Sequence, residues 1–475
     1  MIFSTYRFIF LFLPVTFFVY FALTHYRQFR LAKIWLIVMS FVFYAAGSPS
    51  FFPFFLGSVF ANYVCGTSLM KMEGEQKHQR KLLFIIAILG NVALLGYYKY
   101  TDFFIENWNF ITGQSVPLMH IILPIGISFF TFQLIAFQVD CYRGECDQYD
   151  IVNYLLFITF FPQLIVGPIV HHAEVVPQFE DDRNLILNPE NIAMGLFLFS
   201  IGCAKKILFA DPLTTNAQEF FNAVPKEPEM LACWYNSISY TISYYFDLSG
   251  YADMAIGLGL LFNIHIPQNF NSPYKARNFQ DYWRRWHITL SRFLSAYIFR
   301  SVYVKGSKWR NFYIATMVTF LVSGFWHGAG WTFVAWGLIN GVFVCTASWM
   351  KRKGWSFPAP LAYFLTAFGV VMCRVLFVSN SFADAWTVYK GMFNFASLGT
   401  SLSAVFTSIV TFFQWRKTST LILVVGICIC WFLPNSKTLT EKFRPKLLNA
   451  IYASALMLIC LLQMNKVVQF LYFQF

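Results

Sequence analysis

The chain has 475 residues, of which 57% are hydrophobic and only 12% charged, and phenylalanine alone occurs 58 times. A soluble globular protein carries about 25% charged residues, so an ordinary water-facing surface is excluded and lipid is the implied solvent. The net charge of +13 does not make the chain a nucleic-acid binder, because the aromatics interleaved with its basic residues (Tyr274, Trp283, Trp286) equally suit a membrane interface.

A spanning helix needs about 20 mostly apolar residues. In chain order, such windows begin with Phe8–Leu23, Ile34–Ala46, Phe51–Met70 and Leu82–Tyr98. They continue through Ile121–Val139, Tyr154–Val170, Ile192–Phe209 and Ser237–Phe262. The C-terminal half adds Phe312–Phe325, Trp331–Trp349, Leu361–Val378, Ser401–Phe413, Leu421–Leu433 and Leu448–Leu462. Several are short or interrupted by Pro and Gly, as re-entrant helices in polytopic proteins often are. The expected fold is an all-α polytopic membrane protein, a single membrane domain over residues 1–475, with about 11 transmembrane helices plus re-entrant and surface helices.

The first window is followed by "THYRQFR" without a small-residue cleavage site, so it reads as a retained helix. Basic residues gather at Arg27–Lys33, Lys71–Lys81, Lys351–Lys353 and Lys437–Lys446, whereas Gly47–Ser50 carries no charge. The positive-inside rule puts these basic loops in the cytoplasm and the N-terminus outside. Residues 379–400 read as a short amphipathic surface helix and loop. The ten cysteines are scattered, mostly within apolar segments and without metal-site spacing, and read as small buried hydrophobes.

Ionisable residues inside apolar segments are costly unless paired or hydrated, and they suggest function. In "QVDCYRGE", Asp140 and Arg143 are spaced for an i,i+3 ion pair at a membrane edge. In "YYFDLSGYADMAIGLGLLF", Asp247 and Asp253 flank Ser249-Gly250, either as caps of a broken helix or as the lining of a hydrated cavity. The adjacent His171 and His172 follow "GPIV" and are expected at an exposed helix end.

In "NFQDYWRRWHITLSRF", a continuous helix puts His287 on one face with Trp283 and Arg284. This stretch lies in the largest basic concentration, where Lys275, Arg277, Arg284, Arg285, Arg292, Arg300, Lys305, Lys308 and Arg310 oppose only Asp281. Anionic headgroups account for most of that charge, and an anionic ligand such as a nucleotide-bearing cofactor is the sharper reading. In "SGFWHGAGWTFVAWG", His327 has no acidic neighbour, and Gly324, Gly328 and Gly330 surround it. Glycines beside a buried polar group let a ligand or another backbone approach closely. There is no phosphate-binding loop, zinc-binding helix or nucleophile elbow. The eight histidines lack paired spacing, so no metal or haem is expected.

Read together, "LPIGISFFTFQLIAFQVDCYRG", "FFPQLIVGPIVHHAE", "YYFDLSGYADMAIGLGLLF", "PQNFNSPYKARNFQDYWRRWHITLS", "SGFWHGAGWTFVAWGLINGV" and the terminal "YFQF" resemble the membrane-bound O-acyltransferase family. The likeness is greatest to its bacterial branch typified by the alginate O-acetylation protein. "LSRFLSAYIFRSVYVKGSKWRN" departs from the fuller "IPLGGNR"-like sequence of relatives. The resemblance implies a narrow channel entered by donor from the cytoplasm and by acceptor from the other side. It makes His327 the essential residue and His287 a second functional position. Trp283, Arg284, Arg285, Trp286 and Asn269 would lie on the donor-binding side. It further implies acetyl-CoA as acyl donor, no permanently bound cofactor, and delivery of acetyl to an exported polysaccharide such as alginate-like exopolysaccharide, cellulose or peptidoglycan. The expected setting is the bacterial inner membrane, with lipid around the chain and a periplasmic SGNH hydrolase-like acetyltransferase as partner. Neutral imidazole at His327 would take the acceptor's hydroxyl proton, with Trp326, Trp331 or His287 as candidate donors to the oxyanion. Competing readings are another acyl group or acceptor, such as D-alanyl transfer to teichoic acid, and a transporter or channel without chemistry.

Overall fold

The computed structural model describes residues 2–72, 76–146, 149–304, 306, 309–399 and 401–464. Lys305, Lys308 and the C-terminal "YFQF" lie outside the described residues. All regular elements among the described residues are helical, as expected where no water is available to satisfy unpaired backbone groups. In order these are α1 (Leu13–His25), α2 (Phe29–Ala45), α3 (Phe52–Lys71), α4 (Lys77–Thr112), α5 (Ile127–Arg143), α6 (Ile151–Thr159) and α7 (His172–Glu180). Next come α8 (Pro189–Ala204), α9 (Asp211–Asn222), α10 (Met230–Leu261), α11 (Phe279–Arg285) and α12 (Ile288–Leu294). The remainder are α13 (Trp309–His327), α14 (Trp331–Arg352), α15 (Ala359–Val378), α16 (Phe382–Met392), α17 (Leu402–Trp415), α18 (Lys417–Phe432) and α19 (Leu447–Gln463), with short helical turns between.

Six helical stretches among the described residues are long and apolar enough to cross a bilayer: Phe8–His25, Pro49–Lys71, Lys77–Thr112, Pro189–Asn222, Trp331–Arg352 and Ala359–Val378. A seventh results if α17 and α18, bent by 91°, count as one broken span. The other apolar windows of the sequence fall in shorter helices, such as α2 and α5 with 17 residues each, or in the more polar α10 and α13. The chain is a multi-pass membrane protein. The expected amphipathic helix near residue 380 is α16, capped by the Ser381 side chain and burying Ala385, Val388 and Met392.

The contacts fall into two compact units. One comprises Met1–Ser200, Ala252–Gln268 and Arg444–Ser454. Within it, Phe8, Phe12, Phe43 and Phe161 interlock, with Phe12 edge-on to Phe161 at 5.3 Å. Amides join α3, α4 and α5 across this apolar interior. Asn91 Nδ2 donates to Asn62 Oδ1 at 2.7 Å, and Gln138 Nε2 donates to the Asn62 carbonyl at 2.7 Å. Such bonds are favoured where the alternative is an amide facing hydrocarbon.

Asp140 corrects the sequence-based pairing with Arg143. Its Oδ2 lies 2.9 Å from His171 Nε2 and 3.2 Å from His172 Nε2, because the turn entering α7 brings both rings back over the end of α5. His172 is 1% exposed rather than at the surface, and Tyr149 Oη lies 2.8 Å from its Nδ1. Burial opposes its cation, yet the Asp140 carboxylate and the Cys146 thiol outweigh that, so the pKa of His172 is pushed up to about 9. A folded pKa above the unfolded value of about 6.5 stabilises fully below that value and loses its contribution as pH rises through the folded pKa. The thermal midpoint in detergent is therefore expected to fall between about pH 7 and pH 9.5. Asp140→Asn should flatten that slope, and an unchanged slope would remove the ion pair from the account.

The second unit comprises Ile201–Tyr251, Asn269–Phe443 and Ala455–Phe475. Ser249-Gly250 does not break α10, which runs without interruption from Met230 to Leu261. Gly250 serves a close helix crossing instead, since a methyl there would stand 2.8 Å from the Gly202 carbonyl oxygen. Asp247 is one of three members of an internal ion-pair group. Lys206 Nζ lies 2.8 Å from Asp247 and 2.7 Å from Asp211, all three buried. Asp253, farther along α10 and counted with the first unit, is 2% exposed. Removing one partner of a buried ion pair strands the other charge, so Lys206→Met is expected to cost about 3–5 kcal/mol of stability. Denaturant unfolding in detergent checks this, and Lys206→Met combined with Asp247→Asn should recover part of the loss.

Candidate active site

His327 is the last residue of α13 and only 4% exposed. Helices α13 and α14 form a hairpin in which backbone meets backbone. A methyl on Gly324 would stand 2.4 Å from the Phe333 carbonyl oxygen, and one on Gly337 would stand 2.4 Å from that of Phe320. A methyl on Gly328 would strike the Phe333 ring at 2.1 Å. Of the two uses the sequence left open for these glycines, Gly324 serves close backbone approach and Gly328 receives an aromatic ring. The imidazole consequently lies among rings. Trp326 is 4.8 Å away between centroids, Trp336 is edge-on at 5.0 Å and Phe377 of α15 edge-on at 5.4 Å.

A cavity borders the same helix one turn earlier. It has a volume of about 310 Å³ and is lined along α13 by Phe312, Thr316, Thr319, Phe320 and Ser323. These residues are one helical face, and Ser323 stands one turn before His327. Its opposite wall includes Trp283, Arg284, Ser291 and Leu294. The Ser323 hydroxyl is buried and has no hydrogen-bond partner among the described residues. Trp283 joins this wall to the imidazole, packing 5.7 Å from Trp336 while its Nε1–H donates to Asn340 Oδ1 at 3.3 Å. A larger cavity, about 820 Å³, is lined by Phe279, Phe343, Met350, Lys351 and Trp355 and includes neither His287 nor His327. Neither histidine lines the smaller cavity either; it is the better candidate because its Ser323 end lies one helical turn from His327.

His287 does not share a helix with Trp283 and Arg284. Helix α11 ends at Arg285, Trp286 is extended, and His287 adopts a left-handed conformation (φ 45°) before α12 begins. Asn269 holds the start of α12 on the far side of this break. Its carbonyl accepts from Ile288 N–H at 2.9 Å, and its Oδ1 accepts from Thr289 N–H at 3.2 Å and Thr289 Oγ1 at 3.0 Å. His287 is 3% exposed, and burial holds its pKa down to about 3, so it is a neutral imidazole throughout the ordinary pH range.

The remaining candidate residues separate in space. Arg284 faces the smaller cavity. Arg285 turns back to Asp281, with Nε 2.8 Å from Oδ1. Trp286 is buried between Tyr244 and Tyr282, stacked at 5.9 and 5.6 Å, and Asn269 is the clamp already described. Trp331, one of the suggested oxyanion donors, is 56% exposed at the start of α14, whereas Trp326 is buried beside His327. Asp140, His171 and His172 bring ligand-type atoms within 4.8 Å of one another, a cluster that spacing alone did not reveal. In it, His171 Nδ1 accepts from Ala173 N–H at 3.3 Å, which leaves Nε2 to carry the proton toward Asp140, a hydrogen-bonding rather than metal-ligating state.

Residues 73–383 match the membrane-bound O-acyltransferase family. A peptidoglycan O-acetyltransferase of Helicobacter pylori is 41% identical over 422 residues, spanning 82% of this chain and 80% of that protein. A probable alginate O-acetylase, AlgI, of Pseudomonas aeruginosa is 33% identical over 407 residues, spanning 84% and 76%. A teichoic acid D-alanyltransferase of Streptococcus thermophilus is more distant, at 24% over 396 residues, 72% of this chain and 93% of that one. The chain is thus an O-acyltransferase, a member of the membrane-bound O-acyltransferase family.

Proposed function

We propose that this chain transfers acetyl from acetyl-CoA, bound from the cytoplasm, toward a hydroxyl of an exported polysaccharide, with His327 as general base. The observation that carries the reading is the cavity along α13, which runs from Phe312 to Ser323 and stops one turn short of His327. Eleven residues of helix rise correspond to about 17 Å, a length suited to the extended arm of a pantetheine thioester. Arg310 lies near the start of α13 and Lys351–Lys353 near the end of α14, so the positive-inside rule makes that end the cytoplasmic one. The donor would enter there and present its thioester to His327 near the hairpin turn. An acceptor from the far side would meet it there.

The chemistry follows from the poor nucleophilicity of a hydroxyl. His327 takes the hydroxyl proton as the oxygen attacks the thioester carbonyl, forming a tetrahedral oxyanion. Trp326 is the proposed donor to that oxyanion. Collapse breaks the carbon–sulfur bond, leaves the new ester, and lets His327 return its proton to the departing thiolate. The position of Arg284 on the cavity wall supports a role in orienting the donor. His287, held neutral, would act by hydrogen bonding rather than by charge. The acceptor reading draws on the relatives named for peptidoglycan and alginate acetylation, which are closer than those named for D-alanyl transfer. In this reading the whole chain is one catalytic domain of a bacterial inner membrane, and a periplasmic SGNH hydrolase-like partner completes transfer to the glycan.

His327→Ala, expressed at wild-type level in membranes, is expected to lower O-acetylation of the exported polymer by about a hundredfold or more. Full acetylation by this variant contradicts the assignment. Thr316→Trp fills the middle of the cavity without touching His327. It is expected to raise KM for acetyl-CoA about tenfold or more while the protein remains folded, as measured by release of free thiol in proteoliposomes. An unchanged KM would place the donor elsewhere.

A further inference from the structure

Helix α15 brings a second ionisable group beside the same rings. Arg374 is 4% exposed, and its guanidinium carbon stands 4.2 Å from the Tyr244 ring centroid, 5.0 Å from that of Phe377 and 5.3 Å from that of Trp286. No carboxylate lies within ion-pair distance of it among the described residues. Asp247, three residues along α10 from Tyr244, is 2.8 Å from Lys206 instead. The hydroxyls of Tyr244 and Tyr282 lie toward the guanidinium. Even so, Arg374 Nε and the hydroxyls of Tyr240, Tyr244 and Tyr282 are all buried without a well-formed hydrogen bond among the described residues. Ring faces make an unpaired guanidinium tolerable. They do not explain why three phenolic hydroxyls and a guanidinium N–H are gathered with donors unused, which buried polar groups rarely are. Such a set matches an oxyanion: a planar fork of N–H donors that fits carboxylate or phosphate, ringed by hydroxyls able to turn toward it. Phe377 connects this group to the reaction site, since it lies under Arg374 and also packs on His327 at 5.4 Å.

We propose that Arg374, with Tyr240, Tyr244 and Tyr282, forms a buried anion-binding site for a carboxylate or phosphate carried by a molecule that enters beside His327. Its placement at the reaction centre rests on the role given to His327, but the binding itself does not. Two sources share this chemistry: an acidic group on the hydroxyl acceptor, which would be at hand beside His327, and the phosphates of the acyl donor, which would reach Arg374 only if the donor arm does not follow α13.

Calorimetric titration of the full chain in detergent with inorganic phosphate and with sodium acetate, against sodium chloride at equal ionic strength, tests the site. At least one of the two oxyanions should bind saturably, and His327→Ala should bind it as tightly as the unsubstituted chain. Arg374→Gln should weaken it tenfold or more, with Arg374→Lys and Tyr244→Phe between them, and the two milder variants keep the test decisive if Arg374→Gln does not fold. Oxyanion binding no tighter than chloride, or unaltered by these substitutions, overturns the site. Kinetics then separate the sources. A donor phosphate is indicated if Arg374→Lys reduces the preference for acetyl-CoA over acetyl-pantetheine. An acceptor acid is indicated if it reduces the preference for a carboxylated oligosaccharide over its methyl ester. If neither preference moves, no reacting molecule uses the site and the proposal fails.

Discussion

Where α13 and α14 cross, no side chain separates their backbones: Gly324 and Gly337 face each other, and a methyl on either would collide with carbonyl oxygen across the gap. In a bilayer the hydrophobic effect does little to hold two apolar helices together, so close packing of small residues is the available force. That contact fixes the hairpin turn immediately after His327. It also sets the face of α13 that borders the cavity, because Thr316, Thr319 and Ser323 stand on the same helix in a fixed register. The position of the imidazole relative to the cavity is therefore a consequence of helix packing rather than of loop conformation, and a site built on packed helices is held more tightly than one on loops.

The same solvent explains why polar groups away from the site come in sets. Asn62, Asn91 and Gln138 hydrogen-bond with one another, Lys206 bridges Asp211 and Asp247, and Asp140 stands between two histidines. Each set ties together elements distant in sequence, which gives the helices a register that apolar packing alone would not specify. His287 is different in kind. Its left-handed backbone is held by Asn269, and burial removes its charge. It is a rigid neutral ring at a helix break, suited to hydrogen bonding and unsuited to binding phosphate by charge.

Much of this was legible in the sequence for physical reasons. Long apolar runs can only be membrane helices, and the one imidazole in "SGFWHGAGWTFVAWG" stood out because lipid makes every ionisable group conspicuous. The glycines announced a close approach, though only the fold showed that most of it is filled by backbone and by Phe333. What periodicity could not supply was long-range pairing. Asp140 sits at i,i+3 from Arg143 but finds its partners about thirty residues away. Likewise Ser249-Gly250 looked like a helix break, and only the neighbouring Gly202 reveals that it is a crossing. His287 leaves the helix of Trp283 and Arg284 because Asn269 holds the start of α12 and Asn271 N–H donates to the Arg285 carbonyl at the end of α11, contacts that no local pattern encodes. Arg374 was visible in "GVVMCRVLFV" as a cation inside an apolar helix, the signal that had served for His327. Unlike His327, it has no glycines directly beside it to mark a close approach.

The most direct test of the transfer path is a cryo-electron microscopy map of the protein bound to a non-hydrolysable acetyl-CoA analogue. The arm should follow the face of α13 from Phe312 past Thr316 to Ser323, with the acyl carbon in van der Waals reach of the His327 imidazole. Density instead in the larger cavity beside Phe343 and Trp355, with His327 untouched, would contradict it.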